Sequence, residues 1–222
     1  MAIECVILDA DNTLYSTKKA SRLGYMSMFT LLSGKCDVST EVLETAFKDV
    51  VKTVKDSPSP QTRRKEYSLS LALQNLGIDN VALIPEALEL FWSVVVKTIE
   101  PAEKVQETLA YLATKYTVVI ASDEFQKSLI PKLQQVVGSL DQFAMIITPE
   151  LAGEMKPSPA YYQHVLDDLY FSPQQCVVVG DRWEYDLRPA MKLGMETILV
   201  GPESKGTPTK WIKTLKELHN LL

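Results

Sequence analysis

Cys5-Val6-Ile7-Leu8-Asp9-Ala10-Asp11-Asn12-Thr13-Leu14 is the stretch on which the fold turns. Its first four residues form a short apolar run, continuous instead of alternating, as expected of a strand buried on both faces of a parallel sheet. Two carboxylates follow at positions i and i+2, and on an extended chain such residues share a face. They fall at the carboxyl edge of the sheet, where open α/β folds bind their ligands. Close carboxylates repel unless a cation or a shared proton relieves them. A hard, oxygen-liganded ion such as Mg²⁺ suits that arrangement.

Further runs of the same character occur downstream. Thr117–Ala121 and 176–179 are continuous and β-branched, and 144–148 and 197–200 are weaker versions. Helical patterns lie between them. The stretch 100–116 spaces Val105, Leu109 and Leu112 by four and three, and Pro159–Leu169 places Tyr162, Val165, Leu166 and Leu169 on one stripe. Residues 189–193 end at Gly194, a helix stop, and the tail puts Trp211, Leu215 and Leu218 on one predicted face. Strands alternating with helices imply a doubly wound, Rossmann-like parallel sheet.

The stretch 17–97 differs: it has helical periodicity and no buried strand. Ser39 or Thr40 can cap a helix carrying Leu43, Phe47, Val50 and Val54. Ser57-Pro58-Ser59-Pro60 breaks the pattern, a second helix runs towards Gly77, and Pro85 can open a third containing Leu88, Phe91, Trp92 and Val95. The expected organisation is an α/β core from residues 1–16 and 98–222, interrupted by a helical domain over 17–97.

Composition narrows the functional classes. The 222 residues carry 23 Lys and Arg against 28 Asp and Glu, a net charge of −5, and 46% are hydrophobic. This is globular composition with no basic stripe, so a nucleic-acid binder is not expected. No apolar stretch approaches the ~20 residues of a membrane span, and the acidic residue at position four argues against a signal peptide. Cys5, Cys36 and Cys176 are odd in number and fit no disulfide or zinc spacing. A cytoplasmic protein without membrane or nucleic-acid partners is the expectation. Monomer and homodimer are not distinguished.

Other strand ends carry matching chemistry. Thr117–Ala121 leads into Ser122-Asp123, with a hydroxyl and backbone N–H groups. The run 176–179 leads into Gly180-Asp181-Arg182-Trp183-Glu184-Tyr185-Asp186, and Gly153-Glu154-Met155-Lys156-Pro157-Ser158-Pro159 presents one lysine just before a helix. His164 and His219 have no Cys or His partner at ligand spacing, and the basic triplet 63–65 reads as a solvated helix face. Trp183 and Tyr185 either border the pocket or pack against the insert.

Taken together, these residues resemble the four signature motifs of the haloacid-dehalogenase-like hydrolase superfamily, in the branch with a helical cap inserted after the first motif. Asp9-x-Asp11-x-Thr13 matches the first motif, Ser122 the second, Lys156 the third, and Gly180-Asp181 with Asp186 the fourth. Asp123 departs from the pattern, since the capped branch more often has Asn there. The resemblance implies that the Asp9 carboxylate attacks phosphorus and that Asp11 is the general acid and base. It implies Mg²⁺ held by Asp9, the Asp11 carbonyl and Asp181, and a phosphate held by Ser122, Asp123 and Lys156. Asp186 would stand behind them, orienting Lys156 or a metal-bound water. The implied reaction is hydrolysis of a small phosphorylated metabolite, chosen by a cap that closes over the sheet edge. A phosphomutase keeps the same residues. A dehalogenase has a different residue at the Asp11 position, because halide loss needs no proton, and a silent regulator loses the motif acids or the lysine.

Overall fold

The computed structural model describes every residue except 1, 56, 58 and 203–205. In chain order its strands are β1 (Cys5–Leu8), β2 (Tyr15–Ser16), β3 (Glu100–Pro101), β4 (Thr117–Ala121), β5 (Met145–Ile147), β6 (Cys176–Gly180), β7 (Glu196–Val200) and β8 (Lys210–Ile212). Its α-helices are α1 (Lys18–Cys36), α2 (Thr40–Val54), α3 (Lys65–Asn75), α4 (Leu83–Thr98), α5 (Val105–Ala113), α6 (Gln126–Val137), α7 (Pro149–Ala152), α8 (Pro159–Leu169), α9 (Arg188–Lys192) and α10 (Leu218–Leu221). Contacts divide the chain into two units, 1–16 with 100–222, and 17–99.

In the first unit, six strands form one parallel sheet in the order β5-β4-β1-β6-β7-β8. This is the expected α/β architecture, with β1 at the centre and the strand order reversing on either side of it. Cys5 and Ile7 point to one face with Val119, Ala121, Cys176 and Val178, packed under Tyr161, Tyr162, Val165 and Leu166 of α8. The intervening Val6, Leu8, Val118 and Ile120 turn to the other face and are equally buried. Continuous apolar strands are therefore explained by a sheet covered on both sides.

Three elements differ from the sequence reading. The stretch 100–116 begins as a strand, β3, which pairs antiparallel with β2, and α5 starts only at Val105, after Lys104 in a left-handed conformation. The tail is not one helix. Lys210–Ile212 is an edge strand, with Trp211 40% exposed and its indole N–H on the Gly201 carbonyl, while Leu215 and Leu218 are buried. A strand, a turn and a short helix reproduced helical spacing by coincidence. Helix α6 was not foreseen, because Pro131 and several polar residues interrupt its apolar pattern.

The second unit is helical, as expected. Ser39 caps α2 by accepting the Val42 N–H, and Leu43, Phe47 and Val50 are buried. Pro58, within the expected break, lies outside the described residues. The expected 97/98 boundary falls inside α4, which runs to Thr98. Helices α1 and α4 pack together at Gly24, where an added Cβ would stand 2.8 Å from Phe91 Cδ2 and 2.9 Å from Val95 Cγ2. Both neighbours are buried and have little room to retreat. Gly24→Ala is expected to lower stability by about 1–3 kcal/mol through overpacking, against the ~1 kcal/mol that alanine gains in a helix. Urea denaturation measures this, and an unchanged or higher midpoint would mean that the two helices adjust.

Candidate active site

Asp9 extends the ladder of β1 by one bond, its N–H donating to the Val179 carbonyl at 2.9 Å. The chain then turns sharply. Asn12 adopts a positive φ of 64°, which Asn tolerates better than most residues, and the Leu14 N–H returns to the Ala10 carbonyl at 2.9 Å. That turn brings Thr13 Oγ1 back to donate to Asp9 Oδ2 at 3.0 Å. Asp9 Oδ1 accepts from Lys156 Nζ at 2.6 Å.

Lys156 is fully buried and directs its ammonium at three strand ends. Besides Asp9 it donates to Asp186 Oδ1 at 2.6 Å and to the Ala121 carbonyl at 3.1 Å. Asp186 reaches this point because residues 183–187 coil in a single wide turn after β6, folding its carboxylate back over Gly180. A Cβ on Gly180 would lie 2.7 Å from the Asp186 Cβ, so the glycine at this strand end makes space for the acid. Asp186 Oδ2 accepts the Arg182 N–H at 2.9 Å.

Asp9, Asp181 and Asp186 each place a carboxylate oxygen within 4.8 Å of the others. Burial, followed by the neighbouring acids, pushes the Asp9 carboxyl up to about 7 against the opposing pull of Lys156. Burial and Asp186 push Asp181 up to about 6. For Lys156 burial works against the charge, yet Asp186 and Asp9 outweigh it and hold the ammonium well above its usual value. Asp181 Oδ1 is buried with no hydrogen-bond partner among the described residues. Both oxygens of Asp9 and of Asp186 already accept, so Asp181 Oδ1 is the oxygen of this cluster most open to a cation, and Asp9 Oδ2, held only by the Thr13 hydroxyl, is the next. Oxygen donors and an unrelieved cluster of acids fit Mg²⁺.

The remaining expected residues surround this centre. Ser122 is buried, and its Oγ accepts the Glu124 N–H at 3.1 Å. The Asp123 carboxylate accepts the Lys156 N–H at 2.8 Å and lies 3.5 Å from the Arg182 guanidinium. Arg182 carried no assigned role in the sequence reading, and it offsets the acid at position 123. The additional negative charge meets a guanidinium that is stacked 4.5 Å over the Tyr185 ring. Asp11 is tied elsewhere, its Oδ1 accepting from Lys132 Nζ at 2.7 Å. Lys132 went unrecognised, although it lies on the apolar stripe of α6 beside Leu129, Leu133 and Val136. His164 is exposed and His219 stacks on Tyr111, both away from these residues. Trp183 packs against the core cluster and Gly206.

The model of the haloacid dehalogenase-like hydrolases matches residues 3–194. The chain belongs to that family. Among curated relatives, N-acylneuraminate-9-phosphatase of Rattus norvegicus is 26% identical over 212 residues, covering 93% of this chain and 85% of its own. Ribulose-1,5-bisphosphate 5-phosphatase of Halopiger xanaduensis is 25% identical, covering 92% and 87%. Glyceraldehyde 3-phosphate phosphatase of Methanopyrus kandleri is 25% identical, covering 89% and 84%. The fold is that of the magnesium-bound HAD-hydrolase YfnB from Bacillus subtilis, with TM-score 0.78, 17% identity and coverage of 100% and 99%. It is equally that of a 2-haloacid dehalogenase from Pseudomonas syringae, with TM-score 0.79, 22% identity and coverage of 99% and 97%. No helix among the described residues is long and apolar enough to cross a membrane.

The raised carboxyls of this hydrolase give a pH dependence of definite sign. Between the ordinary carboxylate range and about 7, the folded protein without metal holds more protons on Asp9 and Asp181 than the unfolded chain does. At these groups stability therefore falls as pH rises. The metal-free protein is expected to melt lower at about pH 7.5 than at about pH 5. Added Mg²⁺, which favours the ionised carboxylates, should restore the difference at the higher pH and do little at the lower. Thermal melts with EDTA or Mg²⁺ measure both, and a Mg²⁺ effect independent of pH would remove these two acids from the cation site.

Proposed function

We propose that this chain hydrolyses small phosphorylated metabolites through a phosphorylated Asp9. The observation that carries the reading is the Asp9 carboxylate at the end of the central strand, 2.6 Å from a buried lysine ammonium. An anionic nucleophile meets an anionic phosphate only where positive charge is fixed nearby. Lys156 is that charge, and Asp186 and Asp123 brace it from the side chain and the backbone respectively.

In the first half-reaction an Asp9 oxygen bonds to phosphorus, the bond to the ester oxygen breaks, and Asp11 gives that oxygen its proton. In the second, Asp11 takes a proton from water, the water oxygen bonds to phosphorus, and the Asp9 carboxylate leaves. Lys156, the Ser122 hydroxyl and the Asp123 main-chain N–H hold the phosphoryl oxygens, since the Asp123 carboxylate itself is turned onto Lys156 and Arg182. A bound Mg²⁺, held by Asp9, Asp181 and the Asp11 carbonyl, would keep both carboxylates ionised and offset the charge of the phosphate.

The relatives named for phosphatase activity on acylneuraminate, ribulose bisphosphate and glyceraldehyde phosphate support a phosphate ester of a small polyhydroxylated compound as substrate. The magnesium in YfnB supports the choice of cation on this fold. The helical unit has the part of a substrate-selecting cap. This rests on connectivity: the chain leaves for it directly after β2, a few residues beyond Asp11, and returns at β3, which pairs with β2.

A panel of sugar, sugar-acid and triose phosphates, with Mg²⁺ or EDTA, tests the activity by release of inorganic phosphate. Asp9→Asn is expected to cut turnover at least a thousandfold, on the order of what nucleophile loss costs other covalent hydrolases, and to keep the melting behaviour of a folded protein. Acid-quenched wild-type enzyme should carry phosphate on Asp9. Normal turnover by the variant would overturn the assignment.

A further inference from the structure

Helix α6 turns Leu129, Leu133 and Val136 into the core, and Lys132 lies on that same stripe, 1% exposed. Burying an ammonium is costly unless it is paired, and a leucine or methionine would complete the stripe without that cost. The reason for a lysine must lie in what its ammonium reaches. Nζ donates to Asp11 Oδ1 at 2.7 Å, stands 3.7 Å from Glu124 Oε1 and lies 5.4 Å from the centroid of the Tyr15 ring. Glu124 is held in turn by the Ser128 hydroxyl at 2.6 Å. The α6 helix, the end of β4 and the turn after β1 thus converge on one carboxylate, that of Asp11.

We propose that Lys132 is a positioning residue for Asp11, a proposal resting on the phosphatase reading above. An acid that must give a proton and then take one back needs a single orientation through two half-reactions. Lys132 supplies it by engaging Oδ1, so that Oδ2 is the oxygen that carries the proton to the leaving group and recovers it from water. The Tyr15 ring, 1% exposed, forms one wall of the lysine's site, and the Glu124 carboxylate faces the ammonium beside Asp11. Lys132 is also 121 residues from Asp11 in the chain, so it belongs to none of the motifs that mark the other site residues.

The test compares alkyl phosphates, whose alkoxide must be protonated to leave, with aryl phosphates of acidic phenols, which leave unaided. Lys132→Met should lower kcat on alkyl phosphates by about tenfold or more, part of the ~100- to 10,000-fold that acid–base catalysis supplies. KM should stay within about twofold, and aryl phosphates should still phosphorylate the enzyme at near the wild-type rate, with slower dephosphorylation. Lys132→Arg should recover most of the alkyl activity. In an Asp11→Asn background, Lys132→Met should cost nothing further on alkyl substrates, since coupled residues lose their effects together. Equal losses in the rate at which the two substrate types phosphorylate the enzyme, or full additivity with Asp11→Asn, would make Lys132 a stability element and overturn the proposal. Should Lys132→Met fail to fold, Lys132→Gln, which removes the charge but keeps a polar head, carries the same comparison. Wild-type protein without activity on either ester would instead strike the phosphatase reading itself, so the two failures are distinct.

Discussion

The Lys156 ammonium, removed from water among Asp9, Asp186 and the Ala121 carbonyl, is the interaction on which the site depends. An isolated ion in that position would cost several kcal/mol even after relaxation. Its three N–H donors each meet an acceptor, and the acceptors come from the ends of β1 and β4 and from the wide turn after β6. These three strands are adjacent, paired in parallel register from Cys5↔Thr117 and Cys5↔Cys176 onward. A slip of one residue in either pairing would turn an acid or a carbonyl away and leave the charge uncompensated. The same pairing that builds the core therefore fixes the chemistry.

Reversal of the strand order at β1 explains why that chemistry collects where it does. Connections on either side of a central strand lead away in opposite directions and open a crevice at its carboxyl end. Asp9 lies at the floor of that crevice. The segments after β4 and β6 supply its walls, with Asp123 and Arg182 linking one to the other at 3.5 Å. The charges of Asp123 and Arg182 offset one another and tie the two walls together. Gly180 allows the second wall to approach closely enough for Asp186 to reach the lysine.

The acids repel one another and are only partly neutralised by the protein. Asp9 and Asp181 are held above the usual carboxylate range, and burial is the first cause in both. A protein that buries such groups gives up stability for them, as functional sites commonly do. The central strands β1, β4 and β6, buried on both faces, are the part of the fold that bears this cost.

The sequence by itself determined the parallel sheet and most of its acidic edge. Apolar runs ending in Asp9, Ser122 and Asp181 are local patterns, and they survive folding because a buried parallel strand must be continuous and its ligand-bearing residues must follow it directly. Lys156 and Asp186 were legible through the motifs to which they belong. Tertiary structure alone decided the rest. Lys132 sits in a helix whose apolar pattern Pro131 breaks, and its partner, Asp11, is far away in the chain. Arg182 acquires a role only when β4 and β6 flank β1. Lys210–Ile212 became a strand because β7 offered an open edge, although the spacing of Trp211, Leu215 and Leu218 matched a helix. Periodicity reports which side of a segment is apolar, whereas the partner that an ammonium or a strand edge meets is set by the packing of elements distant in sequence.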